Sequence, residues 1–130
     1  MTETIDTDHI LIDSSGWLEY ITADTKAPLF MRYFDTDSRR LVVPTIVIYE
    51  VRKILLLRHS KIVADYFVSE ALLHQVIPLD AQIALDAASL SVLHHLHMAD
   101  ALIYATAGAA RAQLITSDAH FNNLPGVTIL

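Results

Sequence analysis

Residues 97–130 read HMADALIYATAGAARAQLITSDAHFNNLPGVTIL: a helical stretch, a strand, an acid-bearing turn and a closing strand in direct succession. The helical part, from about Ala99 to Ala112, is apolar nearly all round and carries Ala101, Ala105, Gly108 and Ala112 as a strip of small residues. A helix hydrophobic on every side belongs inside a protein, and the small strip would let its backbone lie close to a neighbour. Leu114–Thr116 and Val127–Leu130 are short apolar runs without alternation, the pattern of strands covered on both faces.

Outward from this segment the same units recur. His9–Asp13, Leu41–Val43 and Val76–Pro78 are three more β-like runs. Ser14 and Ser15 can cap a helix whose apolar positions are Trp17, Leu18 and Ile21. A second helical stretch covers Pro28–Phe34, and Pro44 suits the first position of a long helix running from about Thr45 to His59. Further helices are expected over about Lys61–His74 and after Asp80. Repeated strand–helix units predict an α/β fold with a parallel sheet of about five short strands joined by right-handed crossovers. The 130 residues suit one domain, expected over 9–130, with residues 1–8 as a loose extension.

Composition narrows the function classes. Hydrophobic residues make up 53% and charged ones 18%, which argues against disorder and leaves apolar surface for a partner or a second copy. Cysteine is absent, so disulfides and thiolate metal sites are excluded. No basic segment followed by an apolar run opens the chain, and no stretch approaches the roughly 18 apolar residues of a membrane span; a cytoplasmic, membrane-free protein is expected. Net charge is −6, yet residues 26–61 hold eight of the nine Lys and Arg against three acids. A basic strip on an acidic body can dock a phosphate backbone locally, although solvated helix faces would look the same.

Four acids interrupt apolar surroundings: Asp13 after HILI, Glu50 within PTIVIYEVRKILLL, Asp100 opening ADALIYATAGAA, and Asp118 after LITS. A buried unpaired carboxylate costs several kcal/mol or takes up a proton. Singly, each has an ordinary explanation: Asp13 as a helix N-cap, Asp100 as an acid at a helix N-terminus, Asp118 in an Asx-turn, and Glu50 in an intrahelical pair with Lys53. Jointly they are better explained by convergence on a divalent cation. In an open parallel sheet functional groups gather beyond the carboxyl ends of the strands, where Asp13 and Asp118 directly fall.

The blocks ILIDSSGWLEY, VPTIVIYEVRKIL, HMADALIYATA and LITSDAHFNNLPGV resemble, in order and spacing, those of the PIN domain, and within it the VapC-type toxins of toxin–antitoxin pairs. The resemblance covers residues 9–130. It implies a three-layer, Rossmann-like α/β/α fold and a ribonuclease centre holding Mg²⁺ or Mn²⁺. Asp13, Glu50, Asp100 and Asp118 match the acidic quartet that would bind metal and carry catalysis. Ser14 and Thr116 match hydroxyl residues that would hold the carboxylates or water. It further implies an RNA substrate, a cognate antitoxin bound among the early helices, and a homodimer. Trp17, Phe30, Tyr33, Phe34 and Tyr49 could line the antitoxin groove or be ordinary core. Arg32, Arg39, Arg40, Arg52 and Arg58 then become candidates for gripping RNA phosphates.

Three other readings compete. His94, His95 and His97 could support metal-free RNA cleavage through the ribose 2′-hydroxyl, which would leave a cyclic phosphate and ignore chelator; metal-assisted hydrolysis leaves a 5′-phosphate and stops with EDTA. A phospho-acceptor receiver domain shares the architecture but needs a late Lys, and none follows Lys61. A PIN-like module that binds RNA or protein without catalysis is the non-enzymatic alternative.

Overall fold

The computed structural model describes residues 9–37 and 39–130; the extension expected at residues 1–8 lies outside them, as does Ser38. The elements run β1 (His9–Ile12), α1 (Ser14–Ile21), α2 (Ala27–Phe34), β2 (Leu41–Pro44), α3 (Thr45–Arg58), α4 (Lys61–Ala71), β3 (Gln75–Ile77), α5 (Ala81–His94), α6 (Met98–Ala110), β4 (Ala112–Thr116) and β5 (Val127–Ile129). A single 3₁₀ turn, Ala119–Phe121, joins the last two strands.

All five strands are parallel, in the order β3-β2-β1-β4-β5. The chain moves outward from β1 to β3 and then returns to build the other half from β4. With right-handed crossovers, α1–α4 cover one face of the sheet and α5 and α6 the other. The reversal leaves a crevice between the carboxyl ends of β1 and β4, where such sheets place their sites. The three central strands are buried except at the start of β1 and at Gln113, while the edge strands β3 and β5 are partly exposed. The core side chains Trp17, Phe30, Phe67 and Phe121 are fully buried, so the first two are core and not groove lining. Tyr49 is 60% exposed and remains available to a partner.

Several element ends differ from the sequence reading. Pro44 finishes β2 and stands at the N-cap of α3, one residue before the first helical position, because its extended ψ of 144° continues the strand. Arg111 adopts a left-handed conformation (φ 54°) that stops α6, so Ala112 opens β4 instead of closing the helix. The small-residue strip therefore divides. Ala101 and Ala105 pack with Ile83 and Ala87 of α5, whereas Gly108 is exposed and a side chain there would meet no atom within 4 Å. His94 ends α5, His95 is its C-cap and His97 the N-cap of α6, so no helical face carries them together.

Register decides what meets at the crevice. Ile12 of β1 pairs with Ile115 of β4, so Asp13 and Thr116 leave the sheet side by side. The Asp13 amide donates to the Ile115 carbonyl at 3.2 Å, carrying the pairing one residue past the strand.

Candidate functional site

Asp13 is the N-cap of α1 and is 3% exposed. One carboxylate oxygen, Oδ1, accepts the Gly16 amide at 3.1 Å and the Ser15 hydroxyl at 2.7 Å. The other, Oδ2, accepts the Thr116 hydroxyl at 2.6 Å. Burial dominates and raises its pKa from 3.8 to about 6; the three donors pull it down, and the Asp118 charge adds a smaller upward push.

Thr116 reaches both strand-end acids. While its hydroxyl donates to Asp13, the same oxygen accepts the Asp118 amide at 2.9 Å. Ser15 ties the arrangement from α1 by accepting the Ser117 amide at 3.2 Å and the Ser117 hydroxyl at 3.1 Å. Asp118 in turn accepts the His120 amide at 2.9 Å, the Asx-turn geometry that caps the 3₁₀ turn. His120 Nδ1 also lies 2.9 Å from the same oxygen, Oδ1.

Asp100 occupies the first turn of α6 and is half-buried. Its pKa is raised, first by burial and then by the Asp118 charge, with Glu50 adding to the effect and His120 and His97 opposing it. Glu50 accepts the Ser14 hydroxyl at 2.6 Å, which ties α3 to the start of α1. Lys53 instead lies 5.7 Å from the Tyr49 ring centroid, so the intrahelical pair is not the partner Glu50 uses.

Ligand atoms of Asp100, Asp118 and His120 all lie within 4.8 Å of one another, a spacing that one cation could bridge. Asp13 and Glu50 stand outside that close group but act on its members through charge. The donor set fits a hard divalent ion: carboxylate oxygens, two of them on acids whose ionisation burial and like charge oppose. A cation would relieve both penalties. Local capping and convergence coexist here, since Asp13 and Asp118 each cap a turn with Oδ1.

Sequence reasoning missed three polar residues. Ser15, not Ser14, bonds Asp13; Ser14 serves Glu50. Ser117 and His120 flank Asp118, and their signal was only proximity to it within one turn. The basic candidates are dispersed in their commitments. Arg52 pairs with Asp65 at 2.8 Å, Arg39 with Asp37 at 3.2 Å, and Arg32 donates to the Tyr33 hydroxyl at 2.6 Å. Arg40 and Arg58 are exposed. A cavity of about 670 Å³ lies at the opposite, entering end of β4, lined by Asp86, Tyr104, Arg111 and Pro125 among others, and contains none of the four acids.

Among solved structures the fold is similar to a toxin–antitoxin complex from Klebsiella pneumoniae, at 22% identity and TM-score 0.78 over 92% of this chain and 95% of that one. It is similar to a sarcin–ricin-loop-cleaving VapC toxin of Mycobacterium tuberculosis, at 18% identity and TM-score 0.75 over 89% and 95%. DNA-bound VapBC from Salmonella typhimurium gives 16% identity and TM-score 0.76 over 94% and 96%. No curated protein matches the sequence. The family model described as PIN domain matches residues 10–127, nearly the full length, and the chain belongs to the PIN domain family.

Proposed function

We propose that this chain is a divalent-cation-dependent endoribonuclease and the toxin of a type II toxin–antitoxin pair. The observation that carries this reading is the Thr116 bridge, which sets a buried Asp13 beside Asp118 at the sheet's switch point with Asp100 across the crevice. Asp100 and Asp118, with Asp13 behind them and Glu50 at the rim, would hold Mg²⁺ or Mn²⁺. Such an ion supplies charge stabilisation at the phosphoryl oxygens and a water activated near neutral pH. Thr116, Ser15 and the Gly16 amide fix the Asp13 carboxylate, and Ser14 fixes Glu50. Pre-setting the acids in this way avoids reorganisation when charge develops.

The RNA backbone would lie along the basic strip, with exposed Arg40 just before β2 and exposed Arg58 in the last turn of α3. The antitoxin reading draws support from Leu56, Leu57, Ile62 and Tyr66, which α3 and α4 leave largely exposed. The α5 stripe with Leu85 and Val92, both well exposed, suits a second copy of the chain. No helix among the described residues is long and apolar enough to cross a membrane.

The test is cleavage of structured RNA by purified chain with Mn²⁺, with EDTA, and by Asp13→Asn. Products with 5′-phosphate ends that vanish in both controls support the reading. Cleavage that survives chelation, or yields cyclic phosphate, rejects it.

A further inference from the structure

The close group at the crevice is not made of carboxylates alone. His120 sits on the 3₁₀ turn whose next residue, Phe121, is fully buried and pins the turn to the core. Its own side chain stays 68% exposed, yet the ring does not hang free. Nδ1 lies 2.9 Å from Asp118 Oδ1, and the ring meets His97 edge-on at 5.9 Å between centroids. His97 is itself fixed at the N-cap of α6, three residues before Asp100. Two backbone elements thus hold an imidazole against the acid pair.

From this placement we propose that His120 is an imidazole ligand of the cation held by Asp100 and Asp118, and that it biases the centre toward transition-metal ions over Mg²⁺. The inference rests on the nuclease reading above and assigns the ion's ligand shell. Two observations support it. The ligand atoms of all three residues fall within 4.8 Å of one another. The 2.9 Å between Nδ1 and Oδ1 equals the spacing of adjacent ligand atoms in an octahedron of about 2.1 Å radius, roughly 3 Å. Without an ion the two atoms are in close contact; with Nδ1 as the ligand atom, its lone pair would face the metal and Nε2 would carry the ring hydrogen. Shells of carboxylate and water suit Mg²⁺ and Mn²⁺ alike, whereas an imidazole nitrogen is a donor that transition ions accept more readily than Mg²⁺.

The test uses tag-free, full-length chain loaded with Mn²⁺ and examined by pulsed electron paramagnetic resonance for modulation from a directly bound ¹⁴N nucleus. The comparison variant is His120→Gln, which keeps a polar side chain and the backbone amide bond to Asp118 but removes the imidazole. Calorimetric Mn²⁺ and Mg²⁺ affinities are measured on both proteins. Supporting results are ¹⁴N modulation in the wild type, its loss in His120→Gln, and a Mn²⁺-over-Mg²⁺ preference that falls by roughly tenfold with Mg²⁺ affinity little changed. Saturable Mn²⁺ binding without ¹⁴N modulation, or modulation that persists in His120→Gln, overturns the ligand role and leaves the nuclease reading standing. Absence of any Mn²⁺ binding that Asp118→Asn abolishes overturns both.

Discussion

Thr116 Oγ1 stands between Asp13 and Asp118, donating to the carboxylate of the first at 2.6 Å and accepting the amide of the second at 2.9 Å. Because Thr116 is fully buried, water cannot replace either bond. Thr116→Val keeps the shape and removes both. The Asp13 carboxylate loses a donor that favours its charged form, so its pKa, already raised to about 6, climbs further. Residues that orient metal ligands typically contribute about 10–100-fold in affinity or activity. Thr116→Val is therefore expected to lower RNA cleavage and Mn²⁺ affinity by that factor while costing about 1–3 kcal/mol of stability. Calorimetry with Mn²⁺ and a urea titration read the two effects separately; unchanged Mn²⁺ affinity would contradict the bridging role.

Asp13 makes stability depend on pH in an unusual direction. Its folded-state pKa, about 6, exceeds the unfolded value of 3.8, so between these values the folded protein binds the proton more tightly. Stability contributed by this group is then present at low pH and lost as pH rises through 6. The difference corresponds to about 3 kcal/mol as an upper bound. Asp13→Asn, which cannot ionise, should be more stable than wild type at pH 7.5 in EDTA. That advantage should fade as pH falls toward 4. Mn²⁺ should raise the wild-type melting temperature and leave that of the variant nearly unchanged. Thermal melts across pH 4–8 check the sign; a wild type that gains stability relative to Asp13→Asn on going from pH 5 to 7 without metal would refute it.

Gly16 is required by space, not by backbone angle. A methyl group there would come within 2.4 Å of Ile12 Cγ2 and 2.6 Å of Phe30 Cε1, both on fully buried side chains. The same residue supplies an amide to Asp13 Oδ1. Gly16→Ala must push α1 away from β1, with an overpacking cost of about 1–3 kcal/mol. Activity should fall with stability because the Asp13 carboxylate moves with the helix. Denaturant melts and cleavage assays on one preparation test this. A stable variant with wild-type activity would show that α1 can shift without disturbing the site.

The architecture was readable because apolar runs of strand length alternate with helical patterns, and that alternation leaves few parallel topologies. The strand-end acids Asp13 and Asp118 were legible for the same reason: position relative to a strand fixes where a side chain emerges. Thr116 followed from the resemblance, and register explains it, since Ile12 pairs with Ile115. What escaped were groups whose role depends on a turn. Ser15 looks no different from Ser14 in sequence, yet one helical residue of rotation sends the first to Asp13 and the second to Glu50. His120 was one histidine among seven. Its meaning comes from the 3₁₀ turn that folds it back onto Asp118, and hydrophobic periodicity carries no trace of such a turn. Gly108 was misread for the converse reason: composition cannot say which side of a small-residue helix faces the sheet.

Of the two arginines on α3, Arg58 is the expected phosphate contact and Arg52 the structural one. Arg52 is partly buried and shares Asp65 with Lys61, at 2.8 and 2.7 Å. Arg58, in the last turn of α3, is exposed. Binding of single-stranded RNA releases counterions, so log K falls with log salt by about 0.7 per phosphate neutralised. Arg58→Gln should reduce that slope by about one contact's worth and weaken binding roughly evenly across sequences, leaving the fold intact. Arg52→Gln should leave the slope unchanged and lower stability by no more than about 1 kcal/mol, the usual range for an exposed pair. Fluorescence anisotropy on Asp13→Asn protein, in Ca²⁺ at several salt concentrations, measures both slopes. The reverse outcome, with Arg52 setting the slope and Arg58 not, would mean that RNA enters over α4 and breaks the Asp65 pair as it binds.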